Sequence, residues 1–434
     1  MRNQLMILCS VVLGLSAHAQ LSFSSFQEVI SYADEYALVV QQALISEQIA
    51  QSEYKEARVS RLPYANASFG YNDNISLQPA LVPEQFFNPN AEGDDFQELV
   101  FGTKFQYSRT MQVQWDIINF QEKFATQTAE IAAQESQLNT DLARFNTYNA
   151  LASTYYSLLL NQEAATIYTK NLEVAEQVFE QATEKYQDGL IGEAELNRAE
   201  INRYQNQSRL DQTTNQIEQL EIQLQSQLNT NEAVEVNDSV GSFVLPNSRI
   251  QNTHPEVAFQ ALQLGRYESM LRQAKAQRLP TVSLMYQNSS TWATNEFMNF
   301  SDGNNLPQQF FGIQINMGSL FNLGTRQRIN QARKQVELQQ LNYESTRLTT
   351  QREDELLMLQ LRQADEQLEN NQIILSLQER NDAHAENQYQ AGLLSLDQRL
   401  DKYSELLNAQ DSYLQSLASL TLAKYKVFIR QINF

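Results

Sequence analysis

Two short segments of this chain recur at long range, and the recurrence restricts the fold to one structural unit written twice. Ala57-Arg58-Val59-Ser60-Arg61-Leu62-Pro63 returns 217 positions later as Ala274-Lys275-Ala276-Gln277-Arg278-Leu279-Pro280. Tyr186-Gln187-Asp188-Gly189-Leu190 returns 203 positions later as Tyr389-Gln390-Ala391-Gly392-Leu393. In each copy the first marker ends a helical run ahead of an alternating one, and the second interrupts a very long helical run. The 14-residue difference between the offsets must lie between the markers, most simply in a loop of unequal length.

Neither glycine nor proline occurs from Phe120 to Asp188. Phe124, Ile131, Leu138, Phe145, Ala152 and Leu159 recur every seventh residue among Gln, Glu, Asn and Thr. A sustained seven-residue repeat marks helices wound against partner helices. At 1.5 Å per residue, one continuous helix here would reach roughly 100 Å, more than a single compact domain holds. The second copy repeats the pattern from Arg326 to Ala391, with Ile329, Val336 and Tyr343 in step. A second helix follows each long one, over about Glu193 to Asn229 (Leu210, Ile217, Leu224) and Leu396 to Arg430 (Leu400, Leu407, Leu414). Gly189 and Gly392 stand where the chain must reverse, and glycine tolerates the left-handed conformation that ends a helix.

The rest of each copy alternates with period two. Ala65, Ala67, Phe69 and Tyr71 share a face, as do Phe105, Tyr107, Met111, Val113 and Trp115, with Arg109 the lone intruder. In the second copy the apolar sets are Val282, Leu284, Tyr286 and then Phe311, Ile313, Ile315, Met317. Strands of about ten residues with one apolar face suit an outer-membrane barrel, and a half-buried soluble sheet gives the same alternation. Aromatic residues crowd the strand ends, and the strands form two isolated hairpins, which favours the barrel. Four strands cannot close one, so several chains must contribute. The connections, Ile75 to Thr103 and Ser289 to Gln309, read as exposed loops. A linker around residues 231–253, punctuated by Gly241 and Pro246, separates a first repeat (20–230) from a second (254–434) and could form a small collar.

Arg2, an apolar run from Leu5 to Leu15 and Ala17-His18-Ala19 read as a secretory signal over residues 1–19. The run is shorter than the ~20 apolar residues of a spanning helix. Cys9, the one cysteine, leaves with it, so thiol chemistry, disulfides and cysteine-ligated metal are not expected. A net charge of −20 argues against nucleic acid as a partner. His254 and His384 fall on different predicted helices, and no nucleophile elbow, phosphate loop or metal-ligand cluster is present, so neither catalysis nor a cofactor is expected. Acidic pairs such as Asp94-Asp95 read as solubilising residues.

In this order the motifs resemble the outer-membrane efflux protein family, the TolC-like exit ducts. A helix ends at Arg-Leu-Pro (61–63 and 278–280), and a strand pair runs into a helix at Trp115–Phe120 and at Ser319–Gly324. A long helix reaches Tyr-x-x-Gly-Leu, and acidic-aliphatic stretches follow at Glu195–Glu200 and Leu396–Asp401. His254-Pro255-Glu256-Val257 resembles the family's entry to the second copy. Departures are Ala37-Leu38-Val39-Val40 in place of a first Pro-Glu entry, Gly318-Ser319 where a proline is common, and Glu195 for the usual aspartate.

The resemblance implies a mainly α protein with a membrane β-barrel. It would be a homotrimer with a twelve-stranded barrel in outer-membrane lipid and an α-helical barrel in the periplasm. It implies an exit duct for an efflux or type I secretion system, working with a periplasmic adaptor and an inner-membrane pump. Glu195, Asp397 and Asp401 would ring the periplasmic constriction, where acidic rings select cations. As ordinary first-turn acids they would instead complement the helix dipole. Tyr389 matches a position that holds the tip shut, or is a seam tyrosine. Gly189-Leu190 and Gly392-Leu393 would present the turns to the adaptor. The competing reading is a periplasmic coiled-coil scaffold or adaptor with a soluble sheet.

Overall fold

The computed structural model describes residues 21–433 except 93, 241, 242, 244, 246–249, 251, 252, 302 and 319–322. The signal segment, Gly241, Pro246 and the Ser319–Asn322 part of the second strand-to-helix junction lie outside the described residues.

Chain order is β1 (Leu21–Phe23), α1 (Phe26–Tyr36), α2 (Leu38–Val59), β2 (Tyr64–Asp73), β3 (Pro79–Pro83), β4 (Phe96–Val100), β5 (Phe105–Ile118), α3 (Phe120–Gln187) and α4 (Glu193–Leu228). Then come β6 (Val234–Val236), α5 (Pro255–Ala276), β7 (Thr281–Thr294), β8 (Asn304–Asn316), α6 (Leu323–Gln390) and α7 (Leu396–Gln431). Both long helices have 68 residues and both return helices have 36, so every boundary recurs at the 203-residue offset. The seven-step residues Ala152, Leu159, Leu224, Leu400, Leu407 and Leu414 are buried. Gly189 (φ 72°) and Gly392 (φ 71°) end the long helices. In each, the next leucine's N–H reaches back five residues, Leu190 to Lys185 O and Leu393 to Gln388 O, both at 2.8 Å, closing a Schellman motif.

The four long strands form one antiparallel sheet in the order β2-β5-β7-β8. Its register stacks all four predicted apolar sets on one face: Ala65 is level with Val113, Val113 with Tyr286 and Tyr286 with Phe311. Ala65, the apolar residue of β2 nearest the helices, thus shares a row with Phe311, the apolar residue of β8 farthest from them. The apolar band therefore slants across the sheet, as it must where strands tilt roughly 35–45° in a barrel wall. Much of this face is bare in the chain: Phe69 is 85% exposed, Phe311 68% and Ile313 65%.

Two expectations about the loops need correction. The strands β7 and β8 extend through Thr294 and from Asn304, so the second connection is 295–303 rather than Ser289 to Gln309. Polar Ser289, Ser290 and Thr291 hid the continuation of β7, and Pro307, opposite Ser290, hid the start of β8. The first connection carries the β3–β4 hairpin, Pro79 facing Val100, which takes up the surplus between the offsets. Gly318 also gains a reason: a Cβ there would stand 2.6 Å from Gln277 O and 2.8 Å from Leu279 O, so a proline does not fit.

The linker is partly structured, since β6 pairs in parallel with β1. Around this pair Phe26, Val29, Tyr155, Leu158, Leu224 and Ile429 form the largest buried cluster. Compact packing does not follow the duplication. One unit comprises residues 48–135 and 260–343 and so holds the sheet strands of both copies; the other comprises the remaining segments. No helix among the described residues is long and apolar enough to cross a membrane.

Candidate functional site

The hairpin turns expose their leucines, Leu190 by 71% and Leu393 by 79%, beside glycines with open space around them. Immediately beyond, the first turns of α4 and α7 are held by the residues three positions in. The carboxylate Oε2 of Glu195 accepts Gly192 N–H at 2.9 Å, and the amide oxygen of Gln398 accepts Ser395 N–H at 3.1 Å. These are corresponding positions, 203 apart, so Glu195 serves as a cap residue. Its carboxylate does not join the other two predicted acids.

Asp397 and Asp401 do come together, around a residue that sequence reasoning passed over. The Arg198 guanidinium on α4 lies 2.6 Å from Asp397 Oδ1 and 3.6 Å from Asp401 Oδ1 on α7. One cation of the first copy thereby latches two acids of the second. The duplication could have flagged it, because Arg198 occupies the position that Asp401 holds in the other copy. Arg198 is 50% exposed, Asp397 43% and Asp401 68%, so the latch is within reach of solvent and salt.

Tyr389 is 2% exposed and packs among Val178, Ala182, Ala199, Leu396 and Leu400. The Lys185 ammonium stands 3.8 Å from its ring centroid, a cation–π geometry. Its hydroxyl is buried without a hydrogen-bond partner among the described residues. An orphaned buried hydroxyl costs more than it contributes.

A second group, also missed, sits on the same hairpin. Arg399 is 2% exposed, takes both oxygens of Asp382 on α6 and donates from Nε to Glu386 Oε2 at 2.7 Å. Burial opposes its charge, yet the bonds and charges of Glu386 and Asp382 outweigh that and hold its pKa above the usual arginine value. Below it Tyr403 donates to Asn171 O at 2.9 Å, and Asn171 donates to Gln410 Oε1 at 2.8 Å. Asp411 accepts from Tyr168 at 2.8 Å and from Arg209 at 3.1 Å, tying α7 to α3 and α4. Burial, then the bond to Asp411, pushes the Tyr168 pKa up to about 12. Asp382 and Glu386 left no local signal because their partner lies across the turn. No cluster of metal-ligating residues occurs among the described residues.

No curated protein sequence matches this chain. Among solved structures it is similar to the Campylobacter jejuni CmeC outer membrane channel, with a TM-score of 0.77 at 17% identity over 94% of this chain and 85% of that one. The outer membrane protein VceC of Vibrio cholerae gives a TM-score of 0.76 at 15% identity, covering 94% and 96%. The open-state MtrE outer membrane channel of Neisseria gonorrhoeae gives 0.73 at 14%, covering 94% and 88%. These likenesses establish the fold. The pattern of the outer membrane efflux protein family matches residues 29–230 and 247–433, one stretch in each copy. Matched over nearly all of its length, the chain belongs to the outer membrane efflux protein family, seated in the outer membrane with its helices on the periplasmic side.

Proposed function

We propose that three copies close edge to edge into a twelve-stranded barrel and that the assembly is the passive exit duct of a tripartite efflux or type I secretion system. The observation that carries this is the pair of open sheet edges. β2 and β8 are both unpaired on their outer sides and run in opposite directions, so β8 of one copy can pair antiparallel with β2 of the next. Such a head-to-tail contact repeats around an axis until it closes, and lipid permits no open edge. Three times four strands gives an even-numbered barrel. Helix α6 also leaves Leu338, Leu341, Leu348, Leu356 and Leu359 more than half exposed at helical spacing, an apolar stripe that a neighbouring copy would cover. Family membership favours this over a soluble scaffold, which would have to cover the bare sheet face by other means.

In this assembly residues 1–19 are the removed signal, 20–230 and 254–434 the two repeats, and 231–253 the segment joining them. The hairpin tips form the periplasmic entrance. Arg198, Asp397, Asp401 and Tyr389 hold it shut, with Glu195 fixing the neighbouring turn. Gly189-Leu190 and Gly392-Leu393 offer exposed apolar turns to a periplasmic adaptor, through which an inner-membrane pump supplies the energy.

Purified mature protein should form detergent-requiring trimers that heat converts to monomers, and should conduct in planar bilayers. Asp397→Ala combined with Asp401→Ala should raise that conductance while the trimer survives; unchanged conductance would remove these acids from the gate. A stable monomer in plain buffer would overturn the duct itself.

A further inference from the structure

At the end of the sheet away from the helices, the β7–β8 connection folds back over the apolar face. Met298 N–H donates to Tyr107 Oη at 2.9 Å, and Met298 takes a left-handed φ of 59°, a conformation that costs a non-glycine residue about 1–2 kcal/mol. Ring contacts hold the flap down. Phe297 lies 5.7 Å from Phe105, and Phe300 lies 4.9 Å from Tyr107 and 6.3 Å from Trp292. Between flap and sheet is a cleft of about 490 Å³, walled by Phe69, Tyr71, Tyr107, Trp292 and Phe300.

Arg109 also lines this cleft. It is the sole basic residue on the apolar face of the four strands, is exposed, and has no ion pair among the described residues. Its guanidinium carbon stands 5.8 Å from the Trp292 ring centroid. In its own row lie Phe69 on one side and Ser290 on the other, and toward β8 the face turns polar through Asn288, Asn305 and Gln309. Arg109 therefore interrupts the upper, aromatic part of the slanting apolar band, with the Tyr71–Tyr107–Trp292 row and Phe105 beyond it. An exposed arginine near the end of a membrane strand can extend to the headgroup level, where anionic groups are available to meet it. A guanidinium is shaped to take a phosphate in two parallel hydrogen bonds.

We propose that this cleft binds a phosphorylated anionic lipid of the outer leaflet, with Arg109 taking the phosphate and the aromatic walls covering the adjoining apolar part. The inference rests on the barrel reading, since it requires this face to meet lipid. Trp115 and Trp292 are the two tryptophans, so Trp115→Phe leaves a reporter inside the cleft. The trimer of that variant, in detergent, is titrated with bisphosphorylated lipid A, with dephosphorylated lipid A and with inorganic phosphate alone. Trp292 emission should shift and saturate with the first. The second should bind at least tenfold more weakly, and phosphate alone should leave the emission unchanged. Adding Arg109→Gln should weaken the first tenfold or more, and Arg109→Lys should restore part of it, both variants keeping the heat-modifiable trimer. Equal binding by the Arg109→Gln protein, or saturation by phosphate alone, would overturn the lipid site. Absence of a trimer would instead overturn the barrel, so the two failures are told apart.

Discussion

At corresponding places in the two hairpins, 203 residues apart, the first carries Phe179, Thr183 and Leu196 where the second carries Asp382, Glu386 and Arg399. Tyr186 and Tyr389 also correspond, yet Tyr186 is 42% exposed and Tyr389 2%. The backbones nevertheless match in helix length, turn geometry and cap position. Helix length and reversal are thus set by what both copies share: the absence of breakers, the glycine at positive φ and the cap residue. The inner contacts are free to diverge. The second copy has used that freedom to bury a three-membered ion network and to receive the latch from Arg198.

The strongest way to break the comparison is to remove the buried cation. Arg399→Ala would strand Asp382 and Glu386, which are largely shielded from water. Breaking such a network from one side costs about 3–5 kcal/mol, and thermal unfolding of the detergent-solubilised trimer should register it. Transplanting the first copy's solution should undo the damage. Arg399→Leu, Asp382→Phe and Glu386→Thr together replace the charges with packing, and replacement of a whole buried network is often neutral or stabilising. If the triple variant is as unstable as Arg399→Ala, the two hairpins are not interchangeable.

The shared part should behave alike in both copies. Gly189→Ala and Gly392→Ala each force a Cβ into the left-handed region without any steric neighbour within 4 Å. Each should cost about 1–2 kcal/mol. A clear inequality between them would mean that one turn carries a load the other does not.

Smaller again in stability is the latch. Arg198→Ala removes exposed ion pairs whose contribution is about 0–1 kcal/mol, so unfolding should hardly move. Conductance should rise, and the difference from wild type should shrink in high salt, which already screens the latch. No change in conductance at low salt would return Arg198 to the status of a surface charge.

Most of the architecture was legible in the sequence because it is periodic. The glycine positions, both helix pairs and the inward and outward faces of four strands come from repeats of seven and of two. The β1–β6 pair was not legible, being three residues each with no alternation to read, nor was the far half of β7, whose Ser289-Ser290-Thr291 run obscures its face. At the tip the acids stood out by type and position. Arg198 and Arg399 did not, because an arginine on a polar helix is ordinary until its partner across a turn or in the other copy is known. Glu195 resembles the other tip acids in its place just beyond the reversal, whereas its carboxylate is committed to a backbone N–H.

The least effect is expected at the entries to the two copies, where the first reads Ala37-Leu38 and the second His254-Pro255. His254 caps α5: its Nδ1 accepts Glu256 N–H at 3.2 Å and its ring meets Phe145 edge-on at 5.1 Å. Burial first, then the Arg430 cation, lowers its pKa, while Asp354 pulls weakly the other way. Arg430 is itself engaged with both oxygens of Asp354, at 2.8 and 2.9 Å. Protonation would convert Nδ1 from acceptor to donor and set a positive charge at the positive end of the helix dipole. The folded state thus prefers the neutral ring, so its contribution is complete above the unfolded pKa of about 6.5. It declines as pH falls below that value, until the folded group also titrates. Asparagine is a favoured cap that does not titrate in this range, so His254→Asn should match wild type at pH 7.5 and unfold at a higher temperature than wild type at pH 5. Melting curves for the two proteins that stay parallel across this range would show that the histidine caps the helix without sensing protons.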